Sequence, residues 1–523
     1  AVPDLTTWLV WGIALVAFLA VALLRPRLNL RIVSGLILLF TVGELWLASS
    51  AMPYNDLVAP DAYTDGRMSV YQLKAYQEAE CPVDTTPEPG LTDSACPPPG
   101  RMLSISNGYF DPGDKANMTQ RYADLGLTER ATRYAFVAAK NKELITPNLP
   151  MVWGIPSVDG AGGGILPTLY YTQFTSLLLP EGMPRTLDGR LRELLAQQTP
   201  ACNGACIPDQ RWLNLTNTRY LILDKVYDLW QDGIAYDTAF TLKPGESFPE
   251  QSNFVGTALN LLYTGSDPQI ILDDGSPLIP ADLGTVGNFK LAQITLDAPR
   301  ALQTIRFESN DVSSQLHALT LVDTRTGDFM QLPLGPWRLA LSSDIKLYEN
   351  LDLLPRAFVV LQASFVPDTW GGTETALTQM RDPAFDPTRI VMLSGEAPDE
   401  SFKAVHPYDA SLPPVTILNY RTTHIDVQVN TLEAGYLLLT DAWYPGWQVT
   451  VSSQPATLYR ADVMFRAVSA PAGQTIISFD YAPSWLSWIF TVTMLAWVIV
   501  VGFVTLAFLQ NRRRTNHARA DYV

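Results

Sequence analysis

The sequence has little of the chemistry that catalytic metals and hydrolases use. Its 523 residues include only four histidines and four cysteines. The histidines are scattered, so they form no ligand cluster for a transition metal, and no cofactor is evident. No GxSxG, HExxH or Cys/His pairing occurs, which leaves little support for a secreted hydrolase. A glycosidase with a pair of catalytic carboxylates stays an open alternative in so acidic a chain.

Positive charge is also scarce. Lys and Arg number 36 against 52 Asp and Glu, and the formal net charge is −16. An acidic surface repels nucleic acid and anionic lipid headgroups, so we exclude nucleic-acid binding. Solubility is the simpler interpretation of this charge. The 39 prolines and 33 glycines favour an exterior rich in loops and strands over a helical bundle.

Three long apolar runs lie at the two ends of the chain. Residues 7–24 and 32–50 are each long enough to cross a bilayer, and they predict a transmembrane hairpin over residues 1–51. A third transmembrane helix is predicted over residues 484–510, followed by a basic cytoplasmic tail at 511–523. Arginines in the hairpin loop and in the tail should face the cytoplasm, which places the bulk of the chain outside it.

One carboxylate, Glu44, lies inside the second apolar run. A charge in hydrocarbon is costly, so this intramembrane acid should face a partner helix, a cavity or the outer interface. Glu44 lies less than two helical turns from the outer end of the span. The simplest explanation is therefore that its side chain reaches up to the outer interface.

All four cysteines fall in the portion that is predicted to lie outside. Their even number favours disulfides, and Cys81–Cys96 with Cys202–Cys206 is the simplest of three possible pairings. A four-thiolate metal site is the alternative, although it lacks the paired CxxC spacing.

The outer portion divides into three regions. Residues 52–235 predict a mixed α/β region, with helices over 121–140 and 187–197 and a buried strand over 219–223. Residues 236–355 carry short strands, the first at 238–242, about ten residues apart, which predicts a β-sandwich. Residues 356–483 predict a second β-sandwich. The expected fold class is a membrane-anchored α+β protein with three transmembrane helices.

Two loops of the outer portion are candidate binding sites. Asp159, Gly162 and Gly163 belong to a glycine run whose free N–H groups suit a glycan or a phosphate, although no P-loop signature follows. A flexible loop that rests on the membrane domain is the alternative. Asp273 and Asp274 offer oxygens to Ca²⁺, but the EF-hand spacing is absent and a solvated turn is favoured.

The chain is organised around residues 437–447, which read LLLTDAWYPGW. An apolar strand runs into Asp441, and Trp443, Tyr444 and Trp447 surround a Pro-Gly turn. Three aromatics at one turn either plug the end of a sandwich or form a stacking surface for a flat ligand. The acid and the three aromatics are therefore candidate ligand-binding residues.

Segments around this motif carry a family resemblance. They are LYENLDLLPRAF at 347–358, YRAD at 459–462, FRAV at 465–468, PAG at 471–473, NLTNTRYL at 214–221 and the segment 147–160. In this order they resemble the C-terminal outer part of YfhO-like bacterial membrane proteins, which are similar to C-type glycosyltransferases. The resemblance extends over roughly residues 100–490.

The resemblance implies a role in cell-envelope glycosylation from a polyprenyl-phosphate-linked sugar, at the bacterial plasma (inner) membrane. Such a transferase needs a carboxylate base, usually with a divalent cation that neutralises the departing phosphate. In the family the key acids lie in a first outer loop that this chain lacks, so we assign no catalytic residue and leave enzymatic activity uncertain. The alternative is a non-catalytic, membrane-anchored glycan-binding or accessory subunit of a larger membrane complex.

Many more helices precede this point in the family. We therefore expect the chain to be the tail of a longer protein or a chain separated from its other helices. Its expected partners are the lipid bilayer, a polyprenyl-phosphate sugar or an envelope glycan, and further membrane helices of the same or another chain.

Overall fold

The structure is a computed structural model that describes part of the chain. The described residues are 30–50, 58–59, 64–80, 98–160, 168–183, 191–196, 202, 206–249, 253–273, 275, 277–397 and 413–520. The first predicted span, the cysteines Cys81 and Cys96, and the glycines Gly162 and Gly163 lie outside this part. The chain divides into one compact unit of residues 1–65 and 112–140 and a second of residues 66–111 and 141–523.

Most helices lie before residue 216 of the described chain, and two more follow at residues 370–381 and 484–520. In chain order the α-helices are α1 (Leu30–Ser50), α2 (Met68–Glu80), α3 (Lys115–Asp124), α4 (Glu129–Glu143), α5 (Leu149–Trp153), α6 (Leu169–Phe174), α7 (Leu191–Leu195), α8 (Gln210–Leu215), α9 (Trp370–Arg381) and α10 (Ser484–Ala520).

Strands fill most of the chain between α7 and α10. They are β1 (Arg101–Ile105), β2 (Thr218–Asp224), β3 (Leu229–Gln231), β4 (Ile234–Tyr236), β5 (Ser247–Pro249), β6 (Gly256–Thr264), β7 (Gln269–Leu272), β8 (Ala281–Val286), β9 (Phe289–Arg300), β10 (Thr304–Glu308), β11 (Gln315–Asp323), β12 (Asp328–Leu332), β13 (Trp337–Ser342), β14 (Ile345–Asn350), β15 (Ala357–Val360), β16 (Gln362–Val366), β17 (Ile390–Ser394), β18 (Val415–Tyr420), β19 (His424–Thr431), β20 (Gly435–Leu439), β21 (Trp447–Val451), β22 (Gln454–Ala456), β23 (Tyr459–Ala461), β24 (Phe465–Ala470) and β25 (Gly473–Tyr481).

The first compact unit contains α1, α3 and most of α4. Tyr122 on α3 and Ala135 on α4 are buried together in a small apolar cluster. The prediction of one continuous helix over residues 121–140 is wrong, because α3 ends at Asp124 and α4 begins at Glu129. Gly126, with φ +72°, adopts the left-handed conformation that ends helices.

The second unit begins with a four-stranded sheet in the order β1-β2-β14-β13. Its β2 confirms the buried strand that was predicted over residues 219–223. The predicted strand at residues 238–242 is wrong: within it only Leu242 forms an isolated bridge, to Leu316. Because β14 pairs with β2, the predicted division at residue 235 cuts through this sheet.

Residues 256–332 supply a five-stranded sheet in the order β12-β11-β6-β9-β8. A three-stranded sheet in the order β5-β10-β7 takes two of its strands, β7 and β10, from the same part of the sequence. The turn between β11 and β12 contains Gly327, with φ +81°. Asp273 accepts hydrogen bonds from the backbone N–H groups of Gln303 and Thr304, which suits the solvated-turn interpretation. Asp274 lies outside the described residues.

The C-terminal half of the second unit contains two further sheets. One has the order β15-β20-β24-β23-β17-β16 and the other β18-β19-β25-β21-β22. Both contribute to one apolar core, in which Leu437 and Val468 of the first sheet join Val427 and Phe479 of the second. Buried and less buried residues alternate along β19 and β25, as the sequence pattern predicts.

Helix α10 follows β25 after two residues, Ala482 and Pro483. Its segment Ser484–Ala507 is long and apolar enough to cross a membrane, and it is the one segment of the described residues that is. The second predicted span forms α1, whose apolar part is the shorter segment Ile37–Trp46. The structure thus confirms a mixed α+β chain with a helix suited to a membrane, and the three-span and β-sandwich assignments stay predictions.

Candidate functional site

The residues after β20 lie between two arginines because of the strand register. Leu439, the last residue of β20, pairs with Ala357 on one side and with Arg466 on the other. Arg356 directly precedes Ala357, so both arginines lie beside the two residues that follow Leu439. The second of these is Asp441, the acid of the LLLTDAWYPGW motif.

Both carboxylate oxygens of Asp441 are fully engaged. Oδ1 accepts from Arg101 Nη2 at 2.8 Å and from Arg356 Nη1 at 3.1 Å. Oδ2 accepts from the Tyr420 hydroxyl at 2.9 Å and lies 3.3 Å from Arg466 Nη2. Among the described residues, three arginines and one carboxylate leave this buried cluster with two excess positive charges.

Arg101 and Arg356 are held by backbone carbonyls as well as by the acid. Arg101 donates to the carbonyls of Thr216 and Thr440, each at 2.7 Å. Arg356 donates to the Pro99 carbonyl at 2.9 Å. Each therefore spans separate segments of the chain, and both have a structural role around Asp441.

The proximity of these charges shifts their pKa values. Burial opposes ionisation of Asp441, but Arg356, Arg101 and Arg466 outweigh it and hold its pKa below the usual range. Burial and the neighbouring Arg356 lower the pKa of Arg101 to about 10, so it stays protonated at neutral pH. Burial and Asp441 raise the pKa of Tyr420 to about 12, which keeps its hydroxyl a donor.

A pocket of about 280 Å³ opens onto one side of this cluster. It is lined by Tyr420, Arg421, Thr422, Ile425, Asp441, Trp447 and Arg466. This volume lies just below the range of small-molecule sites, about 300–1,000 Å³. The lining combines two arginines and two aromatic rings, which suits a small anionic ligand with a flat or apolar face.

Arg466 is the buried cation of this pocket. Its side chain is 4% exposed, and its Cζ lies 3.9 Å from the centre of the Trp447 ring. Its Nε and Nη1 have no hydrogen-bond partner among the described residues. A buried donor without a partner costs about 1–3 kcal/mol, and more when it is charged. Arg466 also lines the pocket, so its positive charge can act on an anion that binds there.

The rim of the pocket is joined to the residues that precede α10. The carbonyl of Thr423 accepts from the Tyr481 N–H at 2.8 Å, and the Ala482 N–H donates to the Gly446 carbonyl at 2.9 Å. His424 Nδ1 lies 2.6 Å from Asp480, and this contact raises the pKa of the imidazole. The loop at 421–424 and the Pro-Gly turn are thus both hydrogen-bonded to residues 481–482. We call residues 481–483, which directly precede the helix, the root of α10.

The aromatics of the motif point to different surroundings. Trp443 packs edge-on against Tyr170, with ring centres 5.8 Å apart, as a plug would. Trp447 lines the pocket and lies 5.4 Å from the Tyr481 ring. Tyr444 is 48% exposed beside Tyr481. Trp443 therefore fits the plug interpretation, and Trp447 fits the stacking interpretation. Contact of a ligand with any of the three aromatics stays a prediction.

The other candidate residues lie apart from this pocket. Asp159 is buried and accepts from the Arg192 N–H at 3.2 Å, outside the pocket lining. Glu44 is exposed on α1. Cys202 and Cys206 form a disulfide with a Cα–Cα distance of 5.2 Å, which confirms that pairing. Among the described residues, no group of three or more His, Cys, Asp or Glu side chains suits a metal ion, and the divalent cation stays a prediction.

Sequence reasoning missed the cations of the site. Arg356 and Arg466 stand in the segments that carry the family resemblance, but nothing local marks them as partners of Asp441. The usable signal was an arginine next to each of two apolar strands, together with an acid after a third. Their meeting depends on which distant strands pair and in which register, and no local pattern in the sequence marks that pairing.

Comparison with known proteins adds little to this geometry. No protein-family model and no curated protein matches the chain. Two solved structures show a likeness, both single-particle cryo-EM structures of arabinofuranosyltransferase AftD from Mycobacteria, the second a mutant. Identities are 9% and 11%, coverage is 47% and 46% of this chain and 22% and 21% of those chains, and both TM-scores are 0.13. The chain therefore spans about a fifth of AftD, and a likeness of this extent carries no argument about fold or activity.

Proposed function

We propose that the protein is a membrane-anchored component of cell-envelope glycosylation whose outer region binds an anionic saccharide. The supporting observation is the pair formed by Arg466 and Trp447 in the lining of one pocket. An indole face packs against the apolar face of a sugar ring, and a guanidinium pairs with an acidic substituent on it. The resemblance to YfhO-like proteins supplies the envelope context.

Binding is favoured over chemistry by the state of Asp441, the one carboxylate among the described residues that line the pocket. Its pKa is held low and both of its oxygens already accept hydrogen bonds, so it is poorly suited to act as a general acid or base. This favours the glycan-binding or accessory role that the sequence left as an alternative.

A transferase that uses a polyprenyl-phosphate-linked sugar is the second candidate. It is favoured by the place of the pocket, whose rim is joined to residues 481–482 directly before α10. The proposal includes three membrane spans, two β-sandwiches and an outward-facing pocket at the bacterial plasma membrane. In this arrangement the C-terminus is cytoplasmic, as the distribution of arginines predicts.

The two tryptophans of the motif provide a matched test. The full chain, purified in a neutral detergent, is titrated calorimetrically with glucuronic-acid oligosaccharides and with their neutral glucose counterparts. We expect the acidic series to bind at least tenfold more tightly. Trp447→Leu should weaken this binding about tenfold, whereas Trp443→Leu, which alters the packing on Tyr170, should lower the melting temperature and leave the affinity within twofold.

Loss of affinity in both variants would indicate general destabilisation and would count against the pocket. In the producing organism, deletion of the gene should change the sugar composition of the envelope polymers. The wild-type gene should restore that composition and the Trp447→Leu gene should not. Unchanged envelope sugars after deletion would refute the proposed role in glycosylation.

A further inference from the structure

The pocket that holds Arg466 offers more positive charge than its own carboxylate neutralises. In the part of the chain that the structure describes, Arg101, Arg356 and Arg466 surround a single acid, Asp441. Nε and Nη1 of Arg466 are buried without a partner among the described residues, and Arg466 also lines the pocket. Arg421 adds a second guanidinium to the pocket lining. A doubly charged oxyanion would therefore supply the missing negative charge.

The pocket is fastened close to the start of the membrane-suited helix. Trp447 pairs in register with Tyr481, and α10 begins three residues later at Ser484. Three extended residues span at most about 10 Å, so the pocket residue Trp447 lies close to the start of the helix. If α10 crosses a bilayer, the pocket opens at the height of the lipid headgroups.

Exposed aromatics at the root of α10 fit that position. Tyr444 lies beside Tyr481, and the side chains of Trp485 and Trp488 are 49% and 72% exposed on the first turns of α10. Indole and phenol groups concentrate where the hydrocarbon of a membrane meets water. These rings and the pocket lie on the same end of β25, because the Pro-Gly turn and the loop at 421–424 are both bonded to residues 481–482.

We propose that this pocket binds the phosphate of a lipid in the adjoining leaflet. The inference rests on the proposed function and deepens it, because it makes the acidic group of the ligand a phosphate and its carrier a lipid. The phosphate accepts from Arg466 and Arg421, and the group attached to it packs against Trp447. The chain is acidic overall, so it has no general attraction for anionic headgroups, and binding depends on this local site.

The test uses the full chain in a neutral detergent and measures bound ligand by native mass spectrometry. Four probes are compared: dihexanoyl phosphatidic acid, dihexanoylglycerol, glucose 1-phosphate and inorganic phosphate. We expect the phosphatidic acid to bind at least tenfold more tightly than either water-soluble phosphate. Dihexanoylglycerol, which lacks the phosphate, should show no saturable binding.

Two variants that add the same negative charge at different positions test where the phosphate binds. Thr422 is exposed and lines the pocket, so Thr422→Glu should repel the phosphate and weaken its binding at least tenfold without disturbing a buried contact. Thr416 is exposed on the edge strand β18, which ends at Tyr420 about 13 Å further along at about 3.3 Å per residue. Thr416→Glu adds the same charge and should change the affinity less than twofold. Arg466→Met, where it folds, should abolish saturable binding.

Each outcome separates this inference from the function on which it rests. Equal affinity for glucose 1-phosphate and phosphatidic acid would overturn the lipid carrier and leave a soluble anionic saccharide as the ligand. Binding of glucuronic-acid oligosaccharides without binding of any phosphate would overturn the inference and leave the proposed function standing. Equal losses in the Thr422→Glu and Thr416→Glu variants would place the phosphate outside this pocket and refute the inference.

Discussion

Arg101 and Asp441 are separated by 340 positions in the sequence, yet Arg101 Nη2 lies 2.8 Å from Asp441 Oδ1. Arg101 is the first residue of β1 in the four-stranded sheet, and Asp441 follows β20 in a different sheet. The pair therefore joins the beginning of the second unit to its C-terminal half. Both side chains are nearly shielded from water, so neither charge is well solvated if the other is lost.

Removal of the negative charge at this junction should strongly destabilise the protein. Asp441→Asn leaves three arginines around a neutral amide, and breaking a buried pair in this way costs about 3–5 kcal/mol. Glu308→Gln is the matched control, because its pair with Arg306 is more exposed and such pairs contribute about 0–1 kcal/mol. Urea unfolding of the detergent-solubilised chain measures both. Similar small losses would mean that the arginines do not depend on Asp441.

Features that depend on neighbours in the sequence could be predicted. The strand alternation along β19 and β25, the turn at Gly446 and the bridge between Cys202 and Cys206 each involve residues a few positions apart. The break between α3 and α4 is also local, and Gly126 was its signal, but the helical pattern on both sides outweighed it.

Features that depend on long-range pairing could not be predicted. The sheet that joins β2 to β14 unites segments more than a hundred residues apart, and no local pattern marks that pairing. The convergence of Arg101, Arg356 and Arg466 requires the register of β15, β20 and β24 and the docking of β1. A shift of one residue in that register would turn these side chains to the opposite face.

The bridge between Cys202 and Cys206 also tests where this region lies. In a variant whose Cys81 and Cys96 are serines, alkylation of the denatured chain without reductant should label no thiol, and reduction should expose two. Such a result is expected in an oxidising compartment outside the cytoplasm. Replacement of both remaining cysteines by serine should cost about 2 kcal/mol, because the closed loop is short. Two thiols that react before reduction would contradict the outward placement.

Asp462 should make stability depend on pH. It is fully buried, its Oδ1 accepts from the Met392 N–H at 2.9 Å, and burial raises its pKa to about 7. The folded pKa lies above the unfolded value of about 3.9, so its contribution is complete below about pH 4 and is lost as pH rises through 7. Wild-type stability should therefore fall by a few kcal/mol between pH 5 and 8 relative to Asp462→Asn.

Asparagine keeps the acceptor for Met392 and tolerates the positive φ of 42° at this position. Asp232→Asn is the control, since Asp232 also has a positive φ, 51°, but is exposed. Urea unfolding at four pH values measures the slopes. Parallel slopes for the wild type and Asp462→Asn would exclude this carboxyl as the source.

Alanine substitutions at Gly446 and Gly473 distinguish the effect of backbone strain from that of crowding at the root of α10. Both have positive φ, +111° and +99°, so alanine is strained at either position by about 1 kcal/mol or more. A Cβ on Gly446 would lie 2.8 Å from Cβ of Pro483 and 3.1 Å from the Tyr481 ring, whereas one on Gly473 would meet nothing within 4 Å. Only Gly446→Ala should therefore displace the segment that carries the pocket rim.

Hydrogen–deuterium exchange measures this displacement at the amide of Ala482, which donates to the Gly446 carbonyl. We expect exchange there to accelerate at least tenfold in Gly446→Ala and to stay within twofold of the wild type in Gly473→Ala, although both variants melt at lower temperature. Because the same segment pairs with Trp447, binding of phosphatidic acid should weaken in parallel with the faster exchange. Faster exchange with unchanged binding would show that the pocket does not depend on its attachment to the root of α10.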